Sequence, residues 1–166
     1  MTRINLIDPS KLTDQHLKAE IRELNRIGSL VAKYQVKPSF SKGKYSKEYL
    51  SAKLPSKFSL GTGHVKFFYN KGLYLHKRFT ALREELNHRG FYNFYKFDFR
   101  NTWCEELYQD WKPTEEDCEI LKERILYMIM KKPSWYNFYN KTIDWNFLDY
   151  YIKDKEQRII DVNKSH

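Results

Sequence analysis

Cysteine is scarce in this chain. Only Cys104 and Cys118 are present, with neither metal-ligand spacing nor a disulfide framework, so both read as reduced thiols of an intracellular protein. No apolar run approaches the ~20 residues needed to span a bilayer. The N-terminus lacks the charged-then-apolar pattern of a signal peptide. His16, His64, His76 and His88 form no HxxxH or HExxH pair, and no Asp/Glu cluster suggests bound Mg²⁺ or Zn²⁺, so no metal is expected. Serine and cysteine nucleophile motifs are missing too. The stretch "LGTGHVKFFYN" has a GxG but lacks the third glycine and the strand–helix context of a dinucleotide loop, so Gly61 and Gly63 read better as a turn allowing close packing. Without internal repeats, low-complexity tracts or long linkers, 166 residues suit one domain with one core.

What the chain does have is rings and cations. Thirteen Tyr, 11 Phe and 4 Trp in a 41% hydrophobic sequence argue against disorder over most of the length. Thirty Lys+Arg against 21 Asp+Glu leave +9, which favours a polyanionic partner, although a merely soluble basic protein has the same balance. Between Lys33 and Lys57 seven lysines face one acid, Glu48, and Tyr34, Phe40, Tyr45 and Tyr49 are interleaved. Cations for phosphates and flat rings for bases suit nucleic acid. A solvated loop with a few packed rings fits equally well.

Three helical stripes are legible. The first begins near Asp14 and carries Leu17, Ile21, Leu24, Gly28 and Val31, ending before Pro38. The second runs from about Lys71 to His88 with Leu75, Phe79, Leu82 and Leu86 on one face and Gly90 as its stop. The third opens at "PTEED", where Thr114 caps and Asp117 completes a capping box, and its stripe is Cys118, Leu121, Ile125 and Met128. A weaker fourth helix is expected from Asp144 to about Asp161, and "FYNFYKFDFR" reads as a short extended piece or an aromatic loop. The sum is an all-α domain.

On a helical wheel centred on Glu23, Leu17, Ile21, Leu24 and Gly28 cluster roughly 100–160° to one side, and Gln15, Arg22 and Arg26 lie roughly 60–100° to the other. His16 falls almost over Glu23. A carboxylate at such a seam is partly desolvated yet held by arginines, which suits an acid/base group. The spacing fits an ordinary solvated Glu23–Arg26 pair at i, i+3 just as well.

Four blocks taken in order, "MTRINL", "DQHLKAEIRELNR", "LGTGHVKFFY" and "PSWYNFYNK", resemble the pyrimidine-dimer DNA glycosylase/AP lyase family, from residue 1 to about Lys141. The resemblance implies a compact domain of three main helices over 1–141, with the N-terminal segment packed between them. Residues 142–166 form a C-terminal extension past the family's usual end. The family's chemistry implies that Thr2, freed by removal of Met1, supplies an α-amine nucleophile beside Glu23. Arg3, Arg22 and Arg26 match its basic residues around the lesion, and Arg124 matches an arginine on the third helix that supports the active site, where its long side chain would cross the core to reach it. On the DNA-facing side the resemblance adds Gln15, His16, Tyr136, Tyr139 and Lys141, with Trp135 and Phe138 equally suited to closing the core. It implies no cofactor, a monomer, a lesion-bearing duplex DNA as partner, and a cytoplasmic or nucleoid location in a phage or bacterial host.

The implied reaction excises cyclobutane pyrimidine dimers through an imine and breaks the strand by β-elimination. Three features depart from the pattern. Asn25 stands where the family's proline is expected, Met128 where a DNA-contacting lysine is expected, and the Lys33–Lys57 and Phe91–Lys112 stretches are longer. These leave room for the same chemistry on another damaged base, or for a relative that only binds DNA.

Overall fold

Thr13 opens the first helix by accepting the His16 N–H on its hydroxyl at 3.3 Å, satisfying one of the donors a helix start leaves unpaired. Helix α1 then runs Asp14–Val36. The computed structural model describes residues 4–36, 54–92 and 96–143. Leu17, Ile21, Leu24 and Val31 are buried together with Ile27. Gly28 shares that face for a different reason: the Phe97 ring lies where a Cβ would stand, 2.2 Å from it. The missing side chain lets an aromatic ring rest on the helix backbone.

Helix α2, Gly72–His88, buries Leu75, Phe79, Leu82 and Leu86 as the spacing requires. Its end is a Schellman turn. Gly90 takes φ +77° and donates to the Asn87 carbonyl, while Phe91 N–H reaches back to Leu86 O at 2.8 Å. A one-turn helix α3, Phe99–Thr102, is capped by Asp98 and packs with α1 and α2. The loop-or-strand expectation for residues 91–100 therefore misses a helical turn, which the Asp98 side chain nucleates by accepting from Asn101 N. Helix α4, Glu115–Lys131, carries the expected Thr114–Asp117 capping box with both bonds formed, at 3.1 and 3.0 Å. It buries Leu121, Ile125 and Ile129 and leaves Cys118 and Met128 half-buried.

Two extended pieces complete the frame. Residues 4–12 lie along the helices as a strap that buries Ile4, Ile7 and Leu12, with a 3-10 turn at Pro9–Lys11 capped by Asp8. After α4, strands β1 (Asn137–Phe138) and β2 (Lys141–Thr142) form a small antiparallel hairpin. Its turn residues Tyr139 and Asn140 both have positive φ, 50° and 62°, the geometry of a primed two-residue turn. An aromatic residue is uncommon there. Tyr139 is held in it by a hydroxyl bond to Glu85 and by the Arg89 guanidinium 4.3 Å from its ring centre.

Much of the aromatic content forms one cluster of Phe58, Phe67, Phe68, Tyr74 and Trp111, mostly edge to face at 5–6 Å. The fold is all-α apart from the hairpin. The expected C-terminal helix from Asp144 to Asp161 lies outside the described residues, as does most of the Lys33–Lys57 stretch.

Candidate active site and nucleic-acid face

Glu23 stands at the seam that the wheel predicts. Its side chain is 15% exposed, and Arg26 grips it with two bonds, Nε to Oε2 at 3.0 Å and Nη2 to Oε1 at 2.5 Å. Arg26 itself is half exposed, so its outer edge remains open to an anion. Arg22 is exposed one turn earlier, with Nε donating to Lys18 O. A half-sheltered carboxylate flanked by two exposed guanidiniums can stabilise a developing sugar cation while phosphates are held nearby.

One turn before Glu23, Glu20 is fully buried and accepts four hydrogen bonds. Two come from Arg78, Nε at 2.8 Å and Nη2 at 3.0 Å, and two from Asn5, the backbone N–H at 2.9 Å and Nδ2 at 2.8 Å. Arg78 Nη1 also donates to Ile7 O at 2.6 Å. Burial works against the Arg78 charge, and the Glu20 carboxylate outweighs it, holding the guanidinium pKa above its ordinary value. His64 grips the same strap. Its Nδ1 donates to Ser59 O at 2.8 Å, which leaves Nε2 to accept the Ile4 N–H at 3.2 Å.

At the strap's other end Arg89 spends all five N–H donors. The acceptors are Glu85, Asp14 and the carbonyls of Leu12, Pro9 and Ser10. Asp14 passes the network on by accepting Asn140 N at 2.8 Å, which ties the hairpin turn to the start of α1.

Gln15 does similar work for the loop before the hairpin. Its Nε2 donates to Trp135 O at 2.7 Å and its Oε1 accepts Asn137 N at 2.9 Å. His16 is fully buried, stacked on Tyr136 with ring centres 5.0 Å apart and planes 5° from parallel. Thr13 Oγ1 meets its Nδ1 at 2.7 Å, whereas Nε2 is buried without a partner among the described residues. Burial lowers its pKa to about 4, so the ring is neutral at physiological pH and lends α1 no positive charge.

That shift has a testable sign. The unfolded chain takes up a proton near pH 6.5 and the folded one only near 4, so the stabilisation from a neutral His16 is complete above pH 6.5. It is lost progressively as pH falls towards about 4. The loss is on the order of 3 kcal/mol. Urea midpoints measured across this window will fall steeply for the wild type and less steeply for His16→Phe.

In the hairpin region the burial is the reverse of one sequence expectation. Tyr136, favoured for contact, is buried beneath His16 and Trp135, whereas Trp135, offered equally as a core-closing ring, is about half exposed. The chain makes a 3-10 turn at Pro133–Trp135 and turns extended at Tyr136, a local geometry that periodicity does not reveal. Tyr139 and Lys141 are exposed and Phe138 is half-buried. Arg124 lies on the exposed side of α4 with its guanidinium 5.7 Å from the Tyr127 ring centre, rather than crossing the core. Asn25 sits within α1 and bonds back to Ile21 O, so the helix continues without the expected proline. Thr2 and Arg3 lie outside the described residues.

A cleft of about 410 Å³ lies elsewhere, lined by Asp8, Pro9, Ser10, Ala81, Glu84, Glu85 and His88. Its carboxylates repel phosphate, and none of the expected site residues lines it. Among the described residues no His/Cys/Asp/Glu group is placed to hold a metal ion, and no helix is long and apolar enough to cross a membrane.

The buried polar set of Glu20, Arg78, Arg89, His64 and Asn5 escaped the sequence reading. One signal was available. Glu20 interrupts the Leu17–Ile21–Leu24 face and Arg78 the Leu75–Phe79–Leu82 face, so two opposite charges occupy core-facing positions on neighbouring helices. Compared with known protein families, the chain matches the family described as pyrimidine dimer DNA glycosylase over residues 1–100, more than half of its length.

Proposed function

The chain belongs to the pyrimidine dimer DNA glycosylase family, and from that premise we propose that it excises UV-induced dimers through an imine on the Thr2 α-amine and then cleaves the strand as an AP lyase. The carrying observation is the course of the strap. Leu12 adjoins the first turn of α1, and seven residues back in the sequence Asn5 is bonded to Glu20. The strap thus advances along α1 towards Glu23. Glu23 lies one turn beyond Glu20, a rise of about 4.5 Å, and the Thr2 nitrogen is at most about 7 Å from that of Ile4. An amine two residues upstream of an anchored Ile4 is tethered within a span comparable to that rise, which supports its meeting the carboxylate.

The chemistry needs both groups. An α-amine has a pKa of about 7.7–8.0, against about 10.4 for lysine, so a useful fraction is neutral near pH 7. Adjacent arginines depress it further by disfavouring another cation. The neutral amine attacks C1′, the base leaves, and ring opening gives an imine. The imine acidifies the C2′ protons, and β-elimination breaks the 3′ bond. Glu23 stabilises the sugar cation and relays protons. The exposed Arg22 and Arg26, with Lys141 and Tyr139 on the hairpin, supply phosphate and stacking contacts on a kinked duplex.

Borohydride trapping tests this reading on duplexes carrying one thymine dimer or one abasic site, with mass spectrometry of the linked peptide. An adduct on the Thr2 amine with the dimer duplex is expected. Trapping with the abasic duplex alone would keep the lyase and move the glycosylase to another base. No adduct from protein shown to lack Met1 would overturn the imine.

A further inference from the structure

Burying Glu20 and Arg78 is a costly way to join two helices, since well-packed apolar residues do so at least as well. The pair does not stop at the helices, however. Two of the four bonds to the Glu20 carboxylate come from Asn5, and the third donor of Arg78 goes to Ile7 O. His64 adds a bond to the Ile4 N–H. Ile4, Asn5 and Ile7 of the strap are thus held through main-chain atoms by side chains from α1, α2 and the 54–71 segment.

Main-chain bonds define position along the strap, whereas apolar contacts of Ile4 and Ile7 alone tolerate a slip. A one-residue slip moves the chain by about 3.3 Å and would reverse which side chains face the core. Catalysis is sensitive to this scale, because a misplacement of about 1 Å can cost on the order of 100-fold in rate.

We infer that Asn5, Glu20 and Arg78 form a positioning clamp that sets the register of the N-terminal strap and thereby the reach of the α-amine to Glu23. The inference rests on the imine reading above and extends it to residues that touch neither DNA nor the reacting atoms. Glu20 is distinct in role from Glu23. Its four bonds saturate the carboxylate, so it holds the strap and takes no part in proton transfer.

The test uses the full chain with Met1 removed and abasic duplex DNA. Two variants loosen the clamp. Asn5→Ala removes the Nδ2 bond to Glu20, one of the two that tie Asn5 to the clamp, and keeps the Asn5 N–H bond and the Glu20–Arg78 pair, so it weakens the grip on the strap and retains the folded state. Glu20→Gln disrupts the pair itself. Each is assayed where circular dichroism shows a folded protein. The single-turnover borohydride-trapping rate is expected to fall at least 10-fold in Asn5→Ala, with DNA affinity within 3-fold of the wild type.

A second readout separates register from mere stability. One glycine inserted between Thr2 and Arg3 displaces the amine relative to the clamp and lowers trapping strongly in the wild type. Combined with Asn5→Ala, the two losses will be less than multiplicative, because a strap held less firmly by Glu20 yields more readily to the displaced amine. Folded Asn5→Ala trapping at the wild-type rate, or losses that simply multiply, would overturn the clamp. Failure of the wild type to trap would instead overturn the amine reading, and the clamp's catalytic role with it.

Discussion

Glu23→Gln is expected to abolish strand cleavage at a lesion while leaving lesion-DNA binding close to the wild-type level. The substitution keeps the size of the side chain and one acceptor for Arg26, and it removes the negative charge and the proton-transfer capacity. Positioned acid/base groups contribute roughly 10²–10⁴-fold, and a preorganised charge facing a developing ion contributes roughly 10²–10³-fold. The two roles share one carboxylate, so a loss of at least about 10³-fold in single-turnover cleavage is expected. Arg26 is half exposed, and water replaces the lost half of its bidentate bond, so folding is little affected. Gel-shift titration on a dimer-bearing duplex and cleavage under saturating enzyme separate the two effects. Cleavage within 10-fold of the wild type would show that Glu23 is only the structural partner of Arg26.

The second large effect is on stability. Replacing Arg89 by leucine is expected to cost 3–5 kcal/mol, the range seen when one partner of a buried ion pair is removed. The side chain is fully buried, with five donors on five acceptors, and two of those acceptors are the carboxylates of Asp14 and Glu85. Without the guanidinium, the Leu12 and Ser10 carbonyls lose the bonds they accept from it, Pro9 O is left with Leu12 N–H, and the buried Asp14 carboxylate is left with Asn140 N–H and no charge partner from Arg89. Arg89→Lys will recover only part of the loss, because three donors on a compact ammonium cannot reproduce a planar fork. Urea unfolding at neutral pH measures both variants. A change below about 1 kcal/mol for leucine would mean that water satisfies these groups in the variant.

The two effects meet in one design. Arg89 holds the strap near Leu12, and the Asn5–Glu20–Arg78 set holds it near Ile4, so a segment with no regular structure beyond the Pro9–Lys11 turn is fixed at both ends. The functional amine is proposed to lie just upstream. A loose terminus lacks the preorganisation that imine formation at C1′ demands.

What was legible beforehand is local. The helices at Asp14–Val36, Gly72–His88 and Glu115–Lys131 follow from apolar spacing, and the Thr114–Asp117 box and the Gly90 stop follow from cap chemistry that spans a few residues. The place of Glu23 between an apolar face and a cationic face also follows from helical geometry alone, because Arg22, Leu24 and Arg26, which define those faces, lie on the same helix. The sequence blocks within residues 1–100 sufficed to identify the family, since each block carries residue identities that need no partner to be read.

What only tertiary structure decided is pairing over long separations. Glu20 and Arg78 are 58 positions apart, Arg89 and Asp14 are 75 apart, and Gln15 and Asn137 are 122 apart. Periodicity marks a face as buried but not which charge across the core will meet which. Likewise the burial of Tyr136 in place of Trp135 comes with its stacking on His16, just after the 3-10 turn at Pro133–Trp135. Local spacing is set by the backbone's own repeat. The partner of a buried charge is set by where the other helices come to rest, and no single stretch of this chain encodes that.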